Sequence, residues 1–130
     1  MKENASAFTM LSHARLTAID AERPASFSRA VDKGLLRDTW GHRGILITDD
    51  FSMGAVTLSR EGPAGGAIAA LNAGVDLVLI SYDPDQYFPV MYALLQADRD
   101  GRLSPQMLAE SHARLRGAVV QADLAKLPVK

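Results

Sequence analysis

An α/β fold with parallel strands is predicted by three features of the sequence. Short apolar runs alternate with longer amphipathic stretches, β-branched residues concentrate in the short runs, and Gly or Pro stands at many of the changes between them. Ala7 to Ser12 is the first short run and suits a buried strand, and a polar loop from Arg15 to Pro24 follows. Ser26 is placed to cap a helix from Phe27 to Trp40, where Phe27, Ala30, Val31, Leu35 and Leu36 recur at helical spacing before Gly41 stops it. Gly44 to Thr48 is the second strand and runs into Asp49 and Asp50. A loop is expected from Phe51 to Gly62. Pro63 then suits the first turn of a helix through Ala73, with Gly74 as its C-terminal cap. Val75 to Ser81 is the third strand. A loop with Pro84 leads to a helix from about Gln86 to Arg99, closed by Asp100-Gly101. Ser104-Pro105 opens a last helix to about Ala122. The folded portion is expected over 1–123, with Leu124 to Lys130 as a loose tail.

The order β-α-β-α-β-α-α argues for right-handed crossovers between parallel strands. If consecutive strands are neighbours, every crossover helix falls on one sheet face and the other is left bare. A doubly wound fold covers both faces, whereas a barrel curls the bare face inward. Closure takes eight βα units, so three units plus a C-terminal helix predict a partial TIM (β/α)8 barrel.

Bulk properties exclude several classes. The 130 residues are 48% hydrophobic and 22% charged, the balance of an ordinary globular domain. The net charge of -1, with no basic block, leaves no footprint for nucleic acid or an anionic membrane. No apolar run approaches the ~18 residues of a membrane span. The absence of cysteine removes thiolate metal sites, disulfides and cysteine nucleophiles, and fits a reducing compartment. The start, MKENASAFTM, lacks the apolar stretch of a signal peptide, which gives a cytoplasmic expectation. No metal or cofactor is expected.

The sharpest chemical feature is Ile47-Thr48-Asp49-Asp50-Phe51-Ser52-Met53. The C-terminal strand ends form the active face of parallel α/β folds. Side chains alternate along a strand, so Ile45, Ile47 and Asp49 share one direction and Leu46, Thr48 and Asp50 the other. If the first set faces a barrel interior, Asp49 enters the pocket and Asp50 steadies the loop. The pair alone leaves three readings open: a turn cap, a Mg²⁺ site as in receiver-like phosphotransfer domains, or a nucleophile in glycosyl transfer.

Separated segments carry a resemblance that bears on this choice. Arg23-Pro24-Ala25-Ser26, Leu35-Leu36-Arg37, Trp40-Gly41-His42-Arg43-Gly44, the acidic string and Ala73-Gly74-Val75-Asp76 together resemble glycoside hydrolase family 3, in its bacterial β-N-acetylhexosaminidase branch. His42, Thr48 and Phe51 are mild departures, standing where an aromatic, a serine and a leucine are common.

The resemblance implies the last three βα units of the catalytic barrel, with Asp49 as nucleophile and Asp50 in support. It sets His13, in Met10-Leu11-Ser12-His13, beside the sugar and Met53 along the pocket as substrate-binding candidates. It implies a carbohydrate substrate with terminal N-acetylglucosamine. It also implies a general-acid histidine in a Lys-His-Phe-Pro-Gly-His-Gly string, which does not occur here, so an upstream barrel half is an implied partner and the chain alone is expected to be inactive. Open strand edges and a bare apolar face lead us to expect association of the isolated chain. The rivals are a non-catalytic α/β interaction module and the Mg²⁺-dependent receiver-like domain. Arg15 reads as a surface residue, His42 as part of a turn, and His112 as partly exposed.

Overall fold

The structure, a computed structural model, describes residues 8–121; the expected tail Leu124 to Lys130 lies outside them. Its three strands, β1 (Phe8–Leu11), β2 (Ile45–Asp50) and β3 (Leu77–Leu79), form one parallel sheet in the order β1-β2-β3. Phe8 pairs with Ile45 and Leu11 with Thr48, so the β1–β2 ladder is regular. Between β2 and β3 the register slips after Ile47–Leu77. The chain is therefore a mixed α/β unit with strands in sequential order, as the alternation of runs predicts.

Strand limits differ from the apolar runs because side chains replace ladder bonds. β2 extends through both aspartates, and the Phe51 N–H continues the pairing onto the Leu79 carbonyl at 2.9 Å. β3 is shorter than Val75 to Ser81. At its start the Leu46 N–H donates to the Asp76 carboxylate at 2.9 Å, and near its end the Leu79 N–H donates to Thr48 Oγ1 at 3.0 Å.

The first helix is the largest departure from expectation. Ala25–Phe27 is a 3₁₀ turn, and the following helix, Ala30–Thr39, is wound in π fashion, with the Trp40 N–H reaching the Leu35 carbonyl at 2.9 Å. Ser26 is not its cap. The Ser26 hydroxyl is held 2.6 Å from His13 Nδ1, and Ser28 serves the helix start instead, accepting from the Val31 N–H at 3.3 Å.

Helix α1 (Gly54–Thr57) falls inside the expected loop. Four residues are too short to show a period, and the turn is set by the Met53 carbonyl, which accepts from the Val56 and Thr57 N–H groups. Helix α2 (Gly62–Ala73) carries Pro63 in its first turn and ends at Gly74, whose φ of 107° is open to glycine at little cost. Helices α3 (Tyr87–Arg99) and α4 (Pro105–Gln121) follow close to the predicted limits.

The core lies between the helices and one sheet face. Leu11, Leu46, Phe51 and Val75 meet Phe27, Val56, Ala67, Ala70 and Val90. Gly66 lets α2 approach closely, because a Cβ there would stand 3.3 Å from the Phe51 ring. The opposite face is open: Phe8 is 60% and Met10 55% exposed. By register and alternation Ile45 and Ile47 share that side, where Ile47 is half-buried and Ile45, at the start of the strand, is buried.

Two buried polar groups stand out. Asp76 Oδ2 accepts from Arg37 Nη2 at 2.7 Å, and Asp76 Oδ1 accepts from Arg114 Nε at 2.9 Å. Arg37 also donates to the carbonyls of His42, Gly44 and Gly74. This knot ties the π-wound helix, the entries of β2 and β3, and α4 into one base.

Asp32 is the opposite case. It is fully buried, and neither carboxylate oxygen has a partner among the described residues. Burial pushes its carboxyl up to about 8, against the opposing pull of Arg37. Between the ordinary value of about 3.9 and that raised value, the folded chain holds a proton that the unfolded chain has lost, so stability falls as pH rises through the window. We expect Asp32→Asn to remove this slope and to stabilise the chain more at pH 8 than at pH 5. Urea midpoints at the two values measure it; equal midpoint shifts at both would contradict the assignment.

Candidate functional site

The C-terminal ends of the strands gather Asp49, Asp50, His13 and the turn Phe51–Met53. The two aspartates are separated by strand alternation. Leu46, Thr48 and Asp50 are buried toward the helices, whereas Asp49 is half-buried and lies by alternation on the side of Ile45 and Ile47. Asp49 Oδ1 accepts the Asp50 N–H at 2.8 Å, a bond that restrains the side chain without placing a cation against it.

Asp50 is fully committed to the protein. Oδ1 accepts from the Ser52 N–H at 2.9 Å and the Ser81 N–H at 3.3 Å. Oδ2 accepts from the Ser81 hydroxyl at 2.6 Å and the Tyr82 N–H at 2.9 Å. Burial alone would push this carboxyl up, but the Ser81 hydroxyl and the Ser52, Tyr82 and Ser81 N–H groups outweigh it and hold the group well below the ordinary carboxylate range. The carboxylate thus clamps the β2 turn to the β3 turn, and Ser52 Oγ adds a bond from the Asp83 N–H at 3.0 Å. With two donors on each oxygen, Asp50 has little left for a cation. This geometry tells against an Asp-Asp Mg²⁺ site. Among the described residues no group of three or more His, Asp or Glu stands in metal-binding reach.

His13 is positioned by both ring nitrogens. Nε2 lies 3.0 Å from the Asp50 carbonyl oxygen, which can only accept, so Nε2 carries the proton. Nδ1 then accepts the Ser26 hydroxyl at 2.6 Å. The ring also meets Phe51 edge-on at 5.5 Å between centroids. His13 therefore joins the end of β1, the buried Ala25–Phe27 turn and the end of β2. In this arrangement it orients the strand end rather than offering a free nitrogen to a ligand. Met53 is exposed and precedes α1, with its N–H bonded to the Asp50 carbonyl at 3.0 Å.

Beside these strand ends is a cavity of about 500 Å³ lined by His13, Arg15, Arg23, Leu58, Arg60 and Glu61. Its walls come from the loops after β1 and β2. Arg15, read as a surface residue, belongs to this wall.

Ser26, Ser52 and Ser81 are the site residues that sequence reading missed. Ser26 reads as a helix cap, Ser52 as part of the acidic string and Ser81 as the end of a strand. Their roles come from contacts that span 13 to 31 positions, which no local pattern encodes.

Known proteins share the sequence and the fold of this chain. The family model described as "Glycosyl hydrolase family 3 N terminal domain" matches residues 1–117. A beta-hexosaminidase of Thioalkalivibrio sulfidiphilus is 38% identical over 91 residues, covering 70% of this chain and 25% of the relative. One from Bordetella parapertussis is 32% identical over 106 residues, covering 77% and 30%. Among solved structures, a glycoside hydrolase family 3 beta-N-acetylglucosaminidase from a Paenibacillus species superposes with a TM-score of 0.82 at 33% identity, covering 88% of this chain and 22% of that one. A beta-N-acetylhexosaminidase from Beutenbergia cavernae superposes with a TM-score of 0.72 at 33% identity, covering 88% and 33%. The chain thus spans about a quarter to a third of the length of these relatives, and it is a member of glycoside hydrolase family 3.

Proposed function

We propose that this chain supplies the nucleophile-bearing end of a retaining β-N-acetylhexosaminidase barrel, with Asp49 as the attacking group. One observation carries the reading: of two adjacent aspartates at a strand end, one is clamped by four donors and the other stands on the open face. A nucleophile must keep an oxygen available to an anomeric carbon, and Asp49 does so while Asp50 does not.

The chemistry follows from the carboxylate. Asp49 attacks C1 of the terminal sugar through an oxocarbenium-like transition state, the glycosidic C–O bond breaks, and a covalent glycosyl-enzyme forms. A general acid protonates the leaving oxygen, and water then attacks C1 and restores the free carboxylate. The Asp50 clamp and the His13–Ser26 bond hold the β2 end so that Asp49 keeps its direction.

The rest of the pocket and the general acid belong to a segment outside these 130 residues. The open face carrying Phe8, Met10 and Ile47 would line the interior of the completed barrel. Terminal N-acetylglucosamine is the substrate this reading assigns, following the names of the relatives. Left uncovered, the same apolar face favours self-association of the isolated chain.

Co-production with the upstream barrel half of a related β-N-acetylglucosaminidase tests the proposal. Release of p-nitrophenol from its N-acetyl-β-glucosaminide is expected from the assembled pair and not from this chain alone. Assembly of the two pieces without any turnover would overturn it.

A further inference from the structure

The base of the sheet, at the opposite end from Asp49, holds a second cavity with a different character. Its volume is about 470 Å³, and Lys33, Arg37, Arg43, Arg114, His42 and Glu110 contribute to its walls. β2 begins at Ile45, directly after the turn that carries His42 and Arg43. Six residue steps, at about 3.3 Å each, separate Arg43 from Asp49, roughly 20 Å. The cavity is therefore distinct from the strand-end site.

Its charge is unbalanced. Lys33 is answered by Asp38, and Arg37 and Arg114 share the single carboxylate of Asp76. Glu110 lies 3.9 Å from Arg114, and Arg43 has no ion pair among the described residues. Four cationic side chains thus face three ionised carboxylates, Asp76 included, because the Asp32 carboxyl near Arg37 is raised to about 8 and keeps its proton at neutral pH.

Hydrogen bonding is incomplete as well. The Arg37 side chain is only 8% exposed, and its Nε has no partner among the described residues. His42 Nε2 is also buried without one. Arg114 Nη2 sits 2.9 Å from Asp76 Oδ1 but off the hydrogen-bonding line. Buried donors are normally satisfied, and an excess of positive charge in a partly closed cavity attracts an anion. The His42 imidazole records the same imbalance: burial lowers its affinity for a proton, and the Arg37 charge lowers it further.

The geometry points to a binding site for a phosphate group in this cavity, either free phosphate or a phosphate monoester, held by Arg37, His42, Arg43 and Arg114. A phosphate suits it better than a single carboxylate. Its oxygens accept from several directions at once, which suits single donors offered by several side chains, since Arg37 Nη1 and Nη2 already bond the protein and only its Nε is left. The site owes nothing to the glycosidase reading, since none of its residues lies at the β2 end.

Equilibrium dialysis of the full chain against inorganic phosphate tests it directly, without requiring a monodisperse sample. One saturable site of millimolar affinity is expected. Arg43→Ser, which removes an exposed rim cation, is expected to weaken binding about fivefold, and Arg99→Ser, on α3, to leave it unchanged. In NMR spectra the His42 ring signals are expected to move with added phosphate while those of exposed His112 do not. Glucosamine 6-phosphate as a second probe separates the sources: tighter binding than phosphate assigns a monoester, equal or weaker binding assigns the free ion. Three results would overturn the site: no saturable binding, equal binding by Arg43→Ser and wild type, or equal competition by chloride at matched ionic strength.

Discussion

Asp49→Asn in the reassembled barrel is expected to abolish turnover while leaving the fold intact. Removing a covalent nucleophile lowers kcat on the order of 10⁴- to 10⁶-fold. The structure explains why stability should survive. The Asp49 contact is a single bond from the Asp50 N–H to Oδ1, and an asparagine oxygen accepts it equally well. Asp50→Asn should behave differently. Oδ1 accepts two donors and Oδ2 accepts two more, so an amide nitrogen in either place faces an N–H group it cannot bond. That variant should lose stability as well as rate. Urea unfolding beside kcat separates the two. Retained activity in Asp49→Asn would remove Asp49 from the mechanism and favour a non-catalytic interaction module.

Asp76→Asn is expected to cause the largest loss of stability in the chain. It takes away the carboxylate that Arg37 and Arg114 share, leaving Glu110, 3.9 Å from Arg114, as the remaining ion-pair partner, and Arg37 is almost wholly buried. Burial already makes the Arg37 charge unfavourable, the nearby Arg114 adds to that, and Asp76 opposes both. Breaking a buried pair by removing one partner costs about 3–5 kcal/mol, a large part of the 5–15 kcal/mol typical of a domain. The loss also reaches the sheet, because Asp76 accepts the Leu46 N–H. Arg114→Leu should cost less, since Arg37 still pairs with Asp76. A shift of the urea midpoint in Asp76→Asn no greater than in Arg114→Leu would show that the knot is not what holds the base together.

This knot also shows how far sequence reading reached. Leu36-Arg37 and Ala73-Gly74-Val75-Asp76 were legible as two separate strings of one family, 39 positions apart from Arg37 to Asp76. Their meaning as a single ion pair was not legible, because nothing local to either string names its partner. Ser26 is the complementary case. Serine before an amphipathic run is a sound cap signal, yet the residue went to His13, since the half-buried ring offered a nitrogen and the helix start already had Ser28.

By itself the sequence determined the order of strands and helices, the placement of Pro63 and Gly74 at the two ends of α2, and the separation of Asp49 and Asp50 onto opposite sides of β2. These follow from periods of two and 3.6 residues and from backbone preferences, which are properties of short segments. Only the tertiary structure decided the π-wound helix, the truncation of β3, the four-donor clamp on Asp50 and the unbalanced charge at the base. Each depends on which distant groups compete for a buried hydrogen bond or countercharge, and that competition is resolved only when the segments pack.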